Sequence, residues 1–521
     1  MTRDFIIVGA GTAGCVLAQR LGAQGHRVTL VEAGGSHRHM HVQIPAAFAK
    51  QFKTGRDWAF ETVAQPALKG RRIFWPRGKM LGGSSSMNAQ IHQWCSAGDF
   101  DRWVERGARG WGWDAMEPAL KETDRELNGG HLANPNPLTL AFMKAAEMSG
   151  LRGGHSYNGG ELGPGAWISE VTHRRGARWS AADAYLPASK SVEIVTDARV
   201  LRVLFDGRRA CGIELRRGGR TERLEAGGGV ILSAGTVNSP HLLMLSGVGP
   251  AGMLRDHGID VVSDSANVGT NLQDHLAFVM HFRAQRSISL RSAESLPNLW
   301  RYFTGRKGML ASNVAEAIAF FPSKAGGPVD LEIVFAPVLF EKEGLSPPSA
   351  HGFSLAPVLL SPKSRGRISL VSADPNAAPE IDPAYLSDPE GEDFARLLAG
   401  ARFAQTIATQ PPLAAESAGM IWPPAMAEAP LGEAIRASAH TIYHPVGTCR
   451  MGDDPASVVD CSLKVRGVDG LWVADASVMP QVPSGHPNAV VAAIAHIGSK
   501  RIGQPERSPC VSNSAASLVP A

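Results

Sequence analysis

The pattern of apolar and polar positions is clearest at the start of the chain. An apolar run over Asp4–Val8 leads into glycines spaced G-x-G-x-x-G, and a helix-prone run over residues 15–21 and a second apolar run over Arg27–Val31 follow. Each glycine of such a turn has a physical reason. The first allows a tight turn, the second lets the backbone approach a diphosphate, and the third lets the helix pack on the strand. The pattern predicts a strand–helix–strand unit that binds a dinucleotide, with the diphosphate at the helix N-terminus.

An acidic residue follows the second predicted strand. Glu32 lies 21 residues after Gly11, where a carboxylate can accept hydrogen bonds from both ribose hydroxyls and would repel a 2′-phosphate. The residues predicted to contact the dinucleotide in this unit are Gly9, Gly11, Thr12, Ala13, Gly14, Glu32 and Ala33. The glycine spacing recurs over residues 247–252, but there it follows a helical run, so we interpret it as a helix C-cap. One dinucleotide site without a second one favours FAD over a nicotinamide cofactor.

The remaining pattern alternates between helices and two kinds of strand. Helices are predicted over residues 138–148 and 488–502, and short apolar runs typical of a buried parallel sheet occur over 230–233 and 471–475. The alternating runs of an antiparallel meander are predicted over 193–196, 200–205, 210–216 and 222–225, and those of a second sheet over 331–335, 353–360 and 367–371. Residues 36–110, rich in Gly, Pro and Trp, predict long loops over the cofactor.

These elements predict an α/β (α+β) fold with a Rossmann-type FAD-binding domain and a second, antiparallel-sheet substrate domain. A chain of 521 residues exceeds the usual size of one domain, so two packed domains are expected. The FAD-binding domain is predicted over residues 1–150, 191–275 and 440–503, the substrate domain over 151–190 and 276–439, and a disordered tail over 504–521.

Composition and charge limit the cell compartment and the binding partners that we expect for the protein. The net charge of +4 is small and dispersed, which argues against nucleic-acid binding. The six cysteines show no metal-binding spacing, no room for a signal peptide precedes the first strand, and no apolar run is long enough to span a bilayer. We therefore expect a cytoplasmic protein with reduced thiols and no transmembrane segment.

Five sequence blocks resemble those of the glucose–methanol–choline (GMC) oxidoreductases. They occupy residues 78–88, 235–249, 268–275, 443–452 and 473–480, in the order found in that family. The resemblance extends from residue 4 to about residue 502, nearly the whole chain. It implies FAD-dependent oxidation of a small-molecule alcohol to an aldehyde or ketone, with O2, a quinone or an artificial acceptor taking the electrons.

The resemblance also implies cofactor contacts outside the first unit. Glycines and serines of the first block offer consecutive backbone N–H groups that can hold a diphosphate or lie against a flavin. Asp475, at the end of a predicted strand, can accept hydrogen bonds from the ribityl hydroxyls. The implied contacts are Gly82, Gly83, Ser84, Asn88, Ala89, Val200, Ala234, Asp475, Ala476 and Asn488. Met87 stands where some members carry a histidine bonded to FAD, so a non-covalent flavin is expected.

Two histidines in family motifs are the candidate catalytic residues. Removing the hydroxyl proton of an alcohol suits a neutral imidazole, whose ordinary pKa is about 6.5. His444 matches the position of the family's base, and His486 matches that of the second His or Asn, which holds the hydroxyl. We therefore expect activity to rise with pH through an apparent pKa of about 6.5.

Several alternatives stay open at this stage. Glu316 resembles a residue that faces trimethylammonium in choline enzymes and would imply a choline dehydrogenase-like activity, while a structural role fits it equally well. A hydroxynitrile lyase of the same superfamily would keep FAD and the histidine pair, whereas the family blocks argue against a nicotinamide-dependent dehydrogenase. His37, His39 and His41 have the spacing of a strand face, but without a further ligand nearby we interpret them as a solvated loop, and no metal site is predicted.

Overall fold

The computed structural model describes residues 4–188 and 191–502 of the chain. Within these residues, no helix is both long enough and apolar enough to cross a lipid bilayer. The tail predicted over residues 504–521 lies outside them.

A five-stranded parallel sheet forms the centre of one half of the fold. Its strands, in spatial order, are Leu471–Val473, Gly229–Leu232, Asp4–Val8, Arg27–Val31 and Val192–Val195. The two strands Gly229–Leu232 and Asp4–Val8 are buried along nearly their whole length, as expected for strands covered on both faces. With the helix Thr12–Ala23 between parallel strands, this sheet confirms the predicted strand–helix–strand unit.

The strand Val192–Val195 corrects one assignment made from the sequence. The pattern over 193–196 predicted the first strand of an antiparallel meander, but the strand pairs in parallel with Arg27–Val31 at the sheet edge. Its residues Glu193 and Ile194 are exposed. An edge strand of a parallel sheet therefore has the same mixed polarity as a half-solvated antiparallel strand. The meander itself has three strands, Ala198–Asp206, Arg209–Arg217 and Arg220–Glu225.

A larger antiparallel sheet forms the other half of the fold. Its strands, in spatial order, are Ser417–Trp422, Met280–Ala284, Gly352–Leu359, Leu331–Ala336, Ala317–Phe321 and Gly165–Ile168, with Leu276–Ala277 and His440–Thr441 attached. The smaller pairings are Gly129–His131 with Glu170–Arg174 and Ala177–Arg178, Phe60–Glu61 with Phe74–Trp75, Val248–Gly249 with Ser263–Asp264, and Arg367–Ser369 with Glu380–Asp382. The predicted fold class is confirmed, and the predicted domain boundaries stay a prediction.

Helices cover the two sheets. The α-helices of the described residues are Thr12–Ala23, Met40–Gln43, Ala97–Glu105, Trp113–Leu127, Pro137–Met148, Ala181–Tyr185, Gly235–Leu245, Ala251–Asp256, Leu296–Gly305, Glu392–Ala408, Pro411–Ala414, Glu428–Ser438 and Asn488–Arg501. The structure confirms the helices predicted over 138–148 and 488–502 to within about one residue at each end.

Two helix ends show how local sequence sets these elements. The prediction of long loops over 36–110 missed the helix Ala97–Glu105, although Ser96 and Asp99 form a capping box at its start. The helix Gly235–Leu245 ends just before Gly247, whose φ of 83° is that of a C-capping glycine. The second glycine-rich segment is therefore a helix end, as interpreted from the sequence.

Candidate active site

A large cavity lies at the carboxyl ends of the parallel strands and reaches the antiparallel sheet. Gly9, Glu32 and Asp475 line it, and each lies just beyond the C-terminal end of a strand. His444 and His486 line the same cavity. Open α/β sheets bind their ligands at this edge. The fold thus brings residues predicted for cofactor binding and for catalysis to one site.

Most of the predicted site residues line this cavity. They are Gly9, Gly11, Thr12, Ala13, Glu32, Ala33, Gly83, Ser84, Asn88, Ala89, Val200, Ala234, Asp475, Ala476, Asn488, His444 and His486. Gly14 lies behind the lining, where a Cβ atom would come within 1.9 Å of the Gly9 carbonyl oxygen, so it permits close packing of helix and turn. Gly82, with a φ of 86°, donates its N–H to Ala10 at 2.7 Å and directs Gly83 toward the cavity.

Two helix N-termini meet at the cavity. Gly11 is the N-cap of the helix Thr12–Ala23 and Pro487 that of Asn488–Arg501, and no side chain caps either helix. Thr12 Oγ1 donates a hydrogen bond to Asn488 Oδ1 at 2.7 Å, which links the two ends. Uncapped N–H groups and the helix dipoles make this region favourable for negative charge. It fits a diphosphate and, near Asn488, the charge that develops on a reduced flavin.

The glycine-rich turns leave room for such a ligand. A Cβ atom on Gly11 would have the carbonyl oxygen of Ser233, at 4.0 Å, as its nearest neighbour from another segment. A side chain at this position would therefore extend into the cavity. A Cβ atom on Gly83 would come within 2.8 Å of Gly11 Cα, so the two turns pack directly against each other. The observed spaces fit a dinucleotide whose diphosphate passes over Gly11.

Glu32 is held by two backbone donors. Ala10 N and Gly34 N each donate to one of its carboxylate oxygens at 2.9 Å. Burial raises the pKa of Glu32 to about 7, against the opposing effect of these hydrogen bonds. A buried carboxylate at a cavity wall gains from further donors, and ribose hydroxyls are such donors.

Asp475 already has protein partners. Its carboxylate accepts hydrogen bonds from Gly235 N at 2.9 Å, Ser239 Oγ at 2.6 Å and Ser477 N at 2.8 Å. Of the roughly four acceptor positions of a carboxylate, these bonds leave about one for a ribityl hydroxyl. Asp475 therefore serves first to organise the turn after its strand, and the ribityl contact stays a prediction.

The two candidate catalytic histidines are in contact with each other. The ring centroids of His444 and His486 are 4.7 Å apart, and the rings are nearly perpendicular, at 81°. The backbone N–H of His444 donates to Asp274 Oδ1 at 2.8 Å, and that of His486 donates to Gln93 Oε1 at 2.9 Å. These bonds fix both residues at the cavity wall.

The environment of His444 favours its neutral form. Burial lowers the pKa of His444 well below its ordinary value, and the nearby His486, His275 and Arg77 act in the same direction. This direction departs from the expectation of an apparent pKa of about 6.5, because desolvation is not visible in a sequence pattern. Near neutral pH the His444 ring is unprotonated and can accept a proton.

Three buried residues that support the histidines were missed in the sequence. The Nδ1 atoms of His275 and His444 are 3.0 Å apart, and Asp274 accepts from the His444 backbone as described. Glu332, fully buried, brings Oε1 within 2.9 Å of His486 Nε2. Two signals were present. An acidic residue inside an apolar strand pattern is seldom buried without a partner, and Asp274 and His275 end one of the family blocks.

Glu316 does not reach the cavity. Its Oε2 accepts hydrogen bonds from Asn136 N at 2.6 Å and Thr139 Oγ1 at 2.7 Å, and its Oε1 accepts from Ser312 Oγ at 2.6 Å. The carboxylate thus anchors the start of the helix Pro137–Met148, and burial raises its pKa. This geometry supports the structural interpretation of Glu316 and gives it no contact with a substrate.

The three alternating histidines near the N-terminus do not share a ligand. His37 is buried, with Nε2 3.0 Å from Asp183 Oδ1, so the interpretation as a solvated loop is wrong for this residue. His39 accepts the backbone N–H of His41 and caps a short helix. Residues 4–188 and 191–502 contain no group of three side chains arranged to hold a metal ion.

Comparison with known proteins identifies the family of the chain. Two family models described as GMC oxidoreductase match residues 3–277 and 362–495. The chain belongs to the GMC oxidoreductase family. It is therefore a flavoprotein oxidoreductase of the class that acts on alcohols, as the resemblance of the sequence blocks implied.

Relatives and solved structures cover nearly the whole chain. An uncharacterized GMC-type oxidoreductase of Mycobacterium tuberculosis is 43% identical, covering 93% of this chain and 96% of the relative. An alcohol dehydrogenase (acceptor) of Pseudomonas putida is 40% identical, covering 94% of each protein. Pyridoxine 4-oxidase from Mesorbium loti superposes with a TM-score of 0.87 at 29% identity, covering 97% of this chain and 100% of its own. Formate oxidase of Aspergillus oryzae, studied for the modification of its FAD, superposes with a TM-score of 0.89 at 26% identity, covering 96% and 98%. Family and neighbours support FAD as the cofactor.

Proposed function

We propose that the protein oxidises an uncharged, largely apolar alcohol to an aldehyde or ketone, with non-covalently bound FAD as cofactor and His444 as the base. The observation that carries the proposal is the desolvated, neutral ring of His444 in a cavity that also borders Gly11 and the two uncapped helix N-termini. A base and a dinucleotide site in one cavity are what this reaction needs.

The cavity wall beside the histidines supports an apolar substrate. Glu332, Val334 and Ala336 alternate along the strand Leu331–Ala336, and the last two line the cavity. The other apolar side chains that line it are Phe48, Phe52, Met87, Val279, Val314, Phe340, Ala356 and Ile442. Such a wall favours a hydrocarbon group by removing it from water. Glu316 is engaged elsewhere, so it provides no charge for a quaternary ammonium group.

The chemistry divides between the two histidines. The alcohol loses its hydroxyl proton to His444, and the adjacent C–H bond breaks with its electron pair as the C=O bond forms. His486 holds the alcohol oxygen during this step. When bound, FAD supplies the acceptor for the hydride, and O2 or a quinone-type molecule finally takes the two electrons.

The residues that would hold FAD follow from the cavity lining. Glu32 would accept from the adenosine ribose, and the N–H groups around Thr12 and Ser84 would hold the diphosphate. Met87 lines the cavity at the position of the covalent histidine of some family members. Because a thioether has no nucleophilic ring nitrogen, the flavin should be held by non-covalent contacts alone.

The attachment of the flavin can be tested directly. Precipitating the yellow holoenzyme with acid or heat should release all of its FAD into the supernatant. The measurement compares flavin absorbance in the supernatant and in the redissolved pellet. Flavin that stays with the washed polypeptide would contradict the non-covalent proposal.

The reaction and the substrate class can be tested with a panel of alcohols. Without oxygen, uncharged aliphatic and benzylic alcohols should bleach the flavin, while choline and sugars should bleach it far more slowly. Repeating the panel with oxygen and with an artificial acceptor identifies the final acceptor. Release of cyanide from a cyanohydrin without bleaching by any alcohol would instead support a hydroxynitrile lyase. Fastest bleaching by choline would contradict the apolar substrate class.

A further inference from the structure

His275 stands behind the proposed base and outside the cavity. It is fully buried, it does not line the cavity, and it ends the sequence block 268–275. Its Nδ1 lies 3.0 Å from Nδ1 of His444, and its Nε2 lies 3.0 Å from the backbone carbonyl oxygen of Leu360. The two imidazole rings are nearly perpendicular, at 79°, with centroids 5.2 Å apart. Both nitrogens of His275 are thus used within the protein.

The carbonyl group determines where the protons lie in this chain of hydrogen bonds. A carbonyl oxygen only accepts, so Nε2 of His275 must carry a proton and donate it to Leu360. A neutral imidazole has one N–H, which leaves Nδ1 of His275 as an acceptor. The hydrogen between the two Nδ1 atoms then belongs to His444. His444 is therefore protonated on Nδ1, and its Nε2 carries a free lone pair.

The surroundings keep His275 in the neutral state that this argument needs. Burial lowers the pKa of His275 to about 3, and His486 acts in the same direction, while the carbonyls of Leu360 and Pro483 oppose it. The other ionisable groups acting on the histidine pair are Arg77 and the buried Asp274, which bonds the His444 backbone. If both rings carried a proton on Nδ1, the two N–H groups would face each other without an acceptor.

We propose that His275 is a positioning residue that fixes the tautomer of His444, so that Nε2 of His444 receives the hydroxyl proton of the substrate. No residue in the described part of the chain forms a hydrogen bond with Nε2 of His444. When Nε2 takes the proton, the Nδ1–H of His444 stays bonded to His275, and this bond becomes charge-assisted. The ring neither turns nor exchanges protons between its nitrogens. This inference rests on the proposed role of His444 as the base.

Three variants separate this role from simple packing. His275→Phe keeps a planar ring but removes the acceptor, so the rate of flavin reduction by an alcohol should fall by about 10–100-fold, as when the outer partner of a ligand histidine is lost. His275→Asn places an amide oxygen near the former Nδ1 and should recover most of that rate. His496→Phe is the matched control, because His496 is also a buried histidine of lowered pKa, and its Nδ1 accepts a hydrogen bond from Arg20 Nε outside the cavity. It should leave the rate unchanged.

A second measurement does not depend on turnover. Nitrogen-15 NMR of the histidine-labelled holoenzyme, with the signals of His444 assigned by their loss in His444→Ala, should show a proton on Nδ1 and none on Nε2 near neutral pH. Wild-type reduction rates in His275→Phe, or a proton on Nε2 of His444, would overturn the inference. If His275→Phe loses FAD, the NMR spectrum of the wild type and the rate of flavin reduction in His275→Asn still decide whether His275 fixes the tautomer of His444. If the wild-type protein shows the Nδ1–H tautomer of His444 but no alcohol reduces its flavin, the proposed function is disproved and the inference about the tautomer is not.

Discussion

Replacing His444 with alanine is expected to slow flavin reduction by an alcohol by about 10²–10⁴-fold, the usual contribution of a positioned general base. FAD should stay bound, because the backbone of residue 444 can keep its hydrogen bond to Asp274 and the proposed cofactor contacts lie on other segments. Rapid mixing of enzyme and alcohol without oxygen isolates this step from reoxidation. His351→Ala is the control, because His351 bonds Ser289 away from the cavity. The flavin of this variant should be reduced at the wild-type rate.

The contact between His444 and His486 defines the outcome that would contradict this assignment. If the flavin of His444→Ala is reduced at nearly the wild-type rate, another group is the base. His486 would then be the first candidate, because it lines the same cavity and its ring contacts that of His444. If His444 is the base, His486→Asn should be milder than His486→Ala, since an amide can still hold the alcohol oxygen.

The pH dependence of the same step follows from the lowered pKa of His444. Below that pKa the ring is protonated and cannot act as a base, so the rate falls only where the pH is well below the ordinary imidazole value of about 6.5. Between pH 6 and 8, roughly, the wild-type rate should show no inflection from His444. An inflection near pH 6.5 that disappears in His444→Ala would show that the ring is less shielded than the structure indicates.

The parts of the fold that the sequence predicts well are those set by contacts between near neighbours. The first strand, Gly9, Gly11 and the following helix form one continuous pattern, and the structure reproduces it. The strand Val192–Val195 was assigned to the wrong sheet because its partner, Arg27–Val31, lies far away in the chain. A short alternating strand does not encode whether its neighbour runs parallel or antiparallel.

At the candidate site, too, contacts between segments that are distant in the chain could not be predicted from the sequence. Family motifs were enough to propose His444 and His486, but the groups that act on them come from distant segments. Residues 275 and 444 are 169 positions apart, and residues 332 and 486 are 154 apart. Glu316 illustrates a different case, since its motif left a substrate contact and a structural role equally open, and its three hydrogen bonds support the structural role at a helix start. Protonation states such as that of His444 depend on burial, which only the assembled fold defines.

Replacing Gly11 with valine is expected to abolish FAD retention without unfolding the protein. Gly11 has an extended backbone, with φ −71° and ψ −168°, which valine adopts without strain, and its Cβ position lies 4.0 Å from the nearest atom of another segment. The added side chain would therefore meet the ligand and not the protein, in the space where the diphosphate has to pass. Gly14→Ala differs in principle, because its Cβ atom would lie 1.9 Å from the Gly9 carbonyl oxygen and would disturb the fold itself.

The measurement is the ratio of flavin to protein in the purified variant, together with its circular dichroism and its thermal unfolding. Gly11→Val should be colourless and have native-like secondary structure, and added FAD should not raise its Tm, because a ligand stabilises only a state that binds it. Gly154→Val, at an exposed glycine with no other segment within 4 Å of its Cβ position, is the control and should be as yellow as the wild type. A Gly11→Val variant that keeps its full content of FAD would mean that the diphosphate does not pass over this glycine. The cofactor site would then have to be assigned to other residues.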